Sequence, residues 1–231
     1  MTISLSDAGK RFNRDWIFRH FNYTFNTGNS YAIVGPNGSG KSTLLQVIGG
    51  AIGLSEGGIA VRRATSGVRR ETTGVSGEPA VVSGQTSGLR REKEETENIY
   101  QYISIAAPYL EVIEEMTVTE FLQFHQTFKP LLQALSIKEI IAVVGLATAS
   151  NKQIRYYSSG MKQRVKLAQA IFSDVPVILL DEPCTNLDTS GITLYQQLIS
   201  DYCTNRLVIV SSNDEAEYGF CKEKLRMPEL K

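Results

Sequence analysis

The spacing of apolar and polar residues divides the chain into strands at the front, helices in the middle and an alternation of both behind. Thr2 to Ser6 and Trp16 to Phe25 alternate as half-buried strands do. Ser30-Tyr31-Ala32-Ile33-Val34 is a short apolar run that predicts a buried strand, and Ser42-Thr43-Leu44-Leu45-Gln46-Val47-Ile48 predicts the first turns of a helix reaching about Gly49. Tyr102-Ile103-Ser104-Ile105 reads as another strand. Residues from about 108 to 156 read as helical. There Thr117 and Glu120 form a capping-box pair ahead of Phe121, Leu122, Phe124 and Phe128, and Lys129-Pro130 closes that helix. Ser136 and Glu139 repeat the device ahead of Ile140, Ile141, Val143 and Val144. The stripe of Phe121, Phe124 and Phe128 predicts packed core. Val165 to Ala170 is a helix-forming run. Val177-Ile178-Leu179-Leu180 is unbroken apolar, as a central parallel strand covered on both faces requires, and Leu207-Val208-Ile209-Val210 repeats the pattern. Strand and helix therefore alternate over residues 157 to 215, the signature of an α/β parallel sheet.

Two of these junctions carry candidate chemistry. Between the third strand and its helix stands Gly35-Pro36-Asn37-Gly38-Ser39-Gly40-Lys41-Ser42-Thr43, which fits the phosphate-binding pattern G-x-x-x-x-G-K-[ST]. Glycines let the backbone curl so that several N–H groups face one hollow, and the helix start adds its positive dipole end. Lys41 has the reach for β- and γ-phosphates, and the Ser42 hydroxyl suits Mg²⁺. The plainer reading is a glycine turn before an ordinary helix. Far downstream, the strand Val177–Leu180 ends in Asp181-Glu182-Pro183. A carboxylate at the carboxyl end of such a strand, beside a phosphate loop, holds Mg²⁺ through its water shell; a second one orients the attacking water. The plainer reading there is a solvated acidic turn.

A third segment points to a family. Tyr157-Ser158-Ser159-Gly160-Met161-Lys162-Gln163-Arg164 precedes the helix-forming run, and its position ahead of Asp181 resembles the ABC-type ATPases, whose signature reads Leu-Ser-Gly-Gly-Gln. Ser158 and Gly160 are retained; Tyr157, Ser159 and Met161 differ. Ser158 also suits a helix N-cap. The resemblance spans nearly the whole chain. It implies an ABC ATPase fold: a P-loop NTPase-type, mostly parallel sheet with an antiparallel β subdomain and a helical subdomain, the last at about residues 108–156, in a single nucleotide-binding domain over 1–231. It implies that Ser158, Ser159, Gly160 and Met161 complete the partner's ATP site, that Thr185-Asn186-Leu187-Asp188 crosses a dimer interface, and that Phe12 stacks on adenine. Phe12 also reads as a core phenylalanine. Two positions depart from the family. Asn213 stands where its switch histidine would be; asparagine can hydrogen-bond a phosphate oxygen or water but cannot become a cation. Ala106-Ala107-Pro108-Tyr109 stands where a glutamine should follow the strand, and alanine offers no polar handle there.

Composition narrows the reading. Lysine plus arginine number 24 and aspartate plus glutamate 24, so no broad basic field argues for nucleic acid as partner. Cys184, Cys203 and Cys221 have no paired spacing, which argues against a zinc site or disulfide framework. Met1 to Asp7 lacks a signal-peptide pattern, and no apolar run approaches bilayer length. Arg62 to Asn98 is rich in Gly, Ser, Thr, Glu and Arg and reads as a mobile surface loop or inserted linker, longer than the family's short hairpin. Its arginine pairs could touch acidic lipid or a partner. The resemblance thus implies a cytoplasmic ATPase subunit that binds ATP and Mg²⁺, with Lys41 and the loop amides on phosphate, Ser42 and Asp181 on the metal, and Glu182 and Asn213 at the lytic water. It implies a homodimer, or a heterodimer with a related ATPase subunit, docked on an integral membrane permease at the inner face of the membrane. A nucleotide-gated regulatory module with weak ATPase activity is the alternative that Asn213 and the missing glutamine favour. A relative acting on ribosomes or DNA would carry paired cassettes or long heptad insertions, and neither is present.

Overall fold

The computed structural model describes residues 1–62 and 99–227; beyond Arg62, the expected 62–98 loop lies outside the described residues. Strands β1 (Thr2–Phe12) and β2 (Asp15–Asn26) form a hairpin whose pairing runs from Thr2↔Asn26 to Phe12↔Asp15. Both strands outrun the alternation read from sequence, because register shifts after Leu5 and Ala8 break the two-residue period while the ladder continues. The chain then makes β3 (Ser30–Val34), α1 (Lys41–Ile48) and β4 (Glu56–Arg62), and β4 returns antiparallel to β1. The first sheet thus has the order β2-β1-β4.

The second sheet is wholly parallel. Its strands β5 (Ile103–Ala106), β6 (Val177–Asp181), β7 (Leu207–Ser211) and β8 (Glu223–Arg226) join β3 in the order β5-β6-β7-β3-β8. Every residue of β6 and β7 is buried. The apolar runs serve two faces at once, as the pleat requires. Ile33, Val177, Leu179, Leu207 and Ile209 face one core with Leu44, Leu45 and Ile48 of α1 and Ile3, Leu5, Phe18 and Phe25 of the antiparallel sheet. Ala32, Ile178, Leu180, Val208 and Val210 face the other, against α4 (Ser159–Ile171) and α5 (Thr189–Tyr202) through Val165, Ala168, Ile171, Tyr195 and Leu198. At roughly 1.5–3 kcal/mol for each such side chain, as an upper bound, these two faces supply the main drive for folding.

Helices α2 (Val118–Phe128) and α3 (Ile137–Val143) start where the sequence signals place them. Glu120 N–H donates to Thr117 Oγ1 at 3.2 Å, and Thr117 N–H to Glu120 Oε2 at 2.8 Å. Ser136 and Glu139 close the second capping box, at 3.3 and 2.7 Å. These bonds hold both glutamates below the usual carboxylate range. Two expectations need correction. No helix begins at residue 108; residues 107–116 form a loop, and α2 starts only after Thr117. The phenylalanine stripe is not all core: Phe121 is 5% exposed, but Phe124 is 44% and Phe128 74% exposed, their rings edge to face at 5.1 Å. The stripe has the right width, but only the first turns of α2 (Val118, Phe121 and Leu122) lie under neighbouring elements. Among the described residues, no helix is long and apolar enough to cross a membrane.

Candidate active site

The strand order brings three strand ends into one row. Asp181 of β6 is level with Ser211 of β7, and Ser211 with Ile33 of β3. Beyond that row lie the acidic pair, Asn213 and the glycine loop, so segments far apart in sequence meet at the carboxyl edge of the sheet.

The loop is shaped by its glycines at two places above all. Gly38 and Gly40 have φ of 83° and 92°, in the region that favours glycine, and a Cβ on Gly40 would stand 2.5 Å from Ile17 Cγ2. Gly40 is also the N-cap of α1 and brings no side-chain cap. The first amides of that helix are therefore left to another acceptor, the condition for binding an anion. Lys41 is 5% exposed; its ammonium donates to the carbonyls of Gly35 at 2.8 Å and Pro36 at 3.1 Å. Burial lowers its pKa, while Glu182 and Asp181 pull it back up, so both carboxylates lie within electrostatic reach of this lysine. Ile17, Asn37, Gly38, Gly40, Lys41, Ser42, Thr43 and Glu182 enclose a cavity of about 250 Å³. Glu182 faces the glycine loop across that space.

Asp181 is 2% exposed, and its Oδ1 is buried without a hydrogen-bond partner. An orphaned carboxylate oxygen of this kind is costly unless a cation meets it. Oxygen donors at Asp181 and Ser42 have the chemistry of a hard divalent cation such as Mg²⁺. Glu182 holds a left-handed backbone, φ 43°, fixed by its amide donating to Ser211 O at 2.9 Å. Such a conformation in a non-glycine residue persists only where its surroundings impose it.

The signature segment forms the start of α4. Ser158 is its N-cap and accepts from Met161 N–H at 3.2 Å. Ser158 and Ser159 are exposed, while Gly160 and Met161 are partly buried. A Cβ on Gly160 would approach Asn186 O to 2.9 Å, so glycine lets the Thr185–Asp188 loop pass close to the helix. Ser159 lines a separate cavity with Glu111, Glu114, Lys162, Gln163, Lys166 and Asn186. None of Ser158 to Met161 lines the cavity at the glycine loop.

Asn213 is tied to the loop from the far side. Its Nδ2 donates to Asn37 Oδ1 at 2.8 Å, and Gly35 N–H donates to its Oδ1 at 3.4 Å. Phe12 is 47% exposed with the Lys10 ammonium 5.0 Å from its ring centre, so it is not a core residue. Four residues here were missed by sequence reasoning. Ile17 walls the loop cavity. Tyr109 shows that the loop after β5 does carry a polar handle: burial pushes the pKa of its hydroxyl up, and Gln46 and Asp181 lie within electrostatic reach of it. Gln163, 3% exposed, donates to Pro183 O at 2.7 Å and joins α4 to the acidic turn. Glu217, also 5% exposed, accepts from Cys184 N–H at 2.7 Å. The signal for Tyr109 was a tyrosine beside the position expected to hold glutamine; the others carry no local signal.

Residues 18–185 match the family model described as ABC transporter. An uncharacterized ABC transporter ATP-binding protein, YybJ of Bacillus subtilis, is 25% identical over 97% of this chain and 92% of its own length. The cytochrome c biogenesis ATP-binding export protein CcmA of Agrobacterium fabrum is 25% identical over 93% of this chain and 90% of its own. Among solved structures, the dimeric bacterial ABC transporter cassette MJ0796 superposes with a TM-score of 0.73 at 22% identity, covering 99% of this chain and 96% of that one.

Proposed function

The chain belongs to the ABC transporter family, and from that premise we propose that it is the ATP-binding and ATP-hydrolysing subunit of a transporter, working as a head-to-tail dimer on a separate membrane permease. Family members are ATPases. The observation that carries the reading for this chain is the cavity in which Glu182 faces Lys41, Ser42 and the loop amides. In this reading the amides ahead of α1 and the Lys41 ammonium, released from the Gly35 and Pro36 carbonyls, bind the β- and γ-phosphates. Ser42 and the orphaned Asp181 would hold Mg²⁺, which neutralises phosphate charge when bound. Glu182 orients the attacking water and takes its proton, and Asn213 hydrogen-bonds phosphate oxygen or water.

The separation of Ser158–Met161 from the chain's own loop cavity supports the dimer. Those residues, with exposed hydroxyls at a helix N-terminus, are suited to the nucleotide of a second subunit, and Phe12 has the exposure that stacking on adenine needs. The partner is a second copy or a related ATPase subunit. Transport coupling would place the protein on the cytoplasmic face of the membrane through its permease. No feature of the loop or the acidic turn favours the purely regulatory alternative. The test is Glu182→Gln: MgATP should still bind and hold a dimer through size-exclusion chromatography, while phosphate release falls at least a hundredfold. Turnover equal to wild type would remove Glu182 from the role of base.

A further inference from the structure

Phe12 is the last residue of β1. It pairs with Asp15, and the two-residue turn between them carries Asn13 in the left-handed region at φ 54°. The ring is thus presented at a hairpin tip, 47% exposed. The strand just behind it is sewn to the loop between α1 and β4. Ser55 N–H donates to Gly9 O at 2.8 Å, Arg11 N–H donates to Ser55 Oγ at 3.1 Å, and the Lys10 ammonium donates to Gly53 O at 2.8 Å. The same ammonium lies over the Phe12 ring, 5.0 Å from its centre. One contact anchors it and the other sets it on a π face, within the distance at which a cation is attracted there.

The neighbouring cations are committed elsewhere. Arg11 and Arg19 lie over Trp16, at 5.5 and 4.5 Å from its ring centre, and Arg19 also pairs with Glu56 at 2.6 Å. The register of the hairpin ties this tip to the glycine loop. Pairing passes from Lys10↔Phe18 directly to Arg11↔Trp16, so Ile17 is an extra residue on β2. Ile17 walls the cavity at the glycine loop, whereas Lys10 and Gly53 do not line it. The brace therefore stands outside the space that phosphates would fill.

We propose that Lys10 is a positioning residue for the nucleotide: anchored on Gly53, it holds the Phe12 ring by one face and leaves the other for adenine. This rests on the proposed stacking of Phe12 on adenine. Two effects act together. The ring is ordered before the base arrives, which lowers the entropy cost of stacking. The ammonium draws π density toward itself, and the opposite face then suits the electron-rich purine better. The anchor also reaches beyond the base. Gly53 follows α1, and α1 starts at Lys41 of the glycine loop. One helix and its trailing loop would then grip both ends of a single nucleotide.

The test is isothermal titration of wild type, Lys10→Met, Phe12→Ala and the double variant. The probes are the magnesium complexes of a β,γ-imido analogue of ATP and of inorganic tripolyphosphate. Methionine keeps an apolar stem of similar length and removes the charge. Lys10→Met should weaken nucleotide binding about two- to fivefold and leave tripolyphosphate binding at the wild-type level. Phe12→Ala should weaken nucleotide binding about fivefold or more, and in that background Lys10→Met should cost nothing further. Lys10→Arg, which returns a cation to the ring, should recover most of the affinity. Equal losses for nucleotide and tripolyphosphate in Lys10→Met would make Lys10 a general attractor of phosphate and overturn the proposal. Unchanged or tighter nucleotide binding in that variant overturns it too, as does an additive loss in the double variant, which decides alone where tripolyphosphate binds too weakly to titrate. In each of these cases the stacking role of Phe12 survives. Phe12→Ala with wild-type nucleotide affinity overturns that role and the proposal together.

Discussion

His125 should make the fold acid-sensitive well above the range where carboxylates titrate. Its Nε2 lies 2.8 Å from Ser173 Oγ, and that hydroxyl donates to Gln169 O at 2.6 Å. With its proton engaged, Ser173 can only accept, so the ring carries a hydrogen on Nε2. Burial, reinforced by Lys129, lowers its pKa from 6.5 to about 4. A base whose folded-state pKa lies below its unfolded value binds more protons when unfolded. Stability is therefore lost as pH falls through the window from 6.5 to about 4, and the contribution vanishes above 6.5. At pH 5 the linkage gives about 2 kcal/mol, or roughly 1–2 kcal/mol after allowance for partial exposure. For a protein of this size that is a melting temperature lower by roughly 3–6 °C. Thermal denaturation followed by circular dichroism at pH 7.5 and pH 5.0 measures it. His125→Gln keeps an N–H donor for Ser173 and cannot be protonated, so its drop between the two pH values should be smaller by that amount. Equal drops in wild type and variant would refute the argument, because titration elsewhere would then account for all the acid loss.

Two further outcomes bear on the site. Lys41→Ala should weaken MgATP binding by roughly 10- to 150-fold, the loss of a charged hydrogen-bond donor, and an unchanged Kd in a fluorescence titration would displace the lysine from the phosphates. Gly160→Ala should lower stability by about 1–3 kcal/mol, because its Cβ would meet Asn186 O at 2.9 Å; an unshifted melting temperature would show that the Thr185–Asp188 loop yields freely.

What could be read in the sequence was the part set by local rules. The central strands announced themselves because β6 and β7 are covered on both faces, and both capping boxes formed because their two residues lie three apart on one chain. The glycine loop and the acidic turn were legible by motif, and their meeting follows from strand order. What was hidden depends on contacts between distant segments. Periodicity gave Phe121, Phe124 and Phe128 a common stripe, but only packing decides that α2 overhangs its neighbours. Tyr109 was overshadowed by the alanines before it, since its value lies in coming within electrostatic reach of Gln46 and Asp181 from another element. Glu217 looked like one more acid on a short polar turn, and only the fold sinks it beneath the amide of Cys184.

The bond from Gln163 to Pro183 O has a mechanical consequence. It acts as a strut between the helix that would address a neighbour's nucleotide and the turn that would cut this chain's own. Two half-reactions on opposite sides of an assembly would then share one stiff member, so displacement at either end is felt at the other without any rearrangement of the sheet between them.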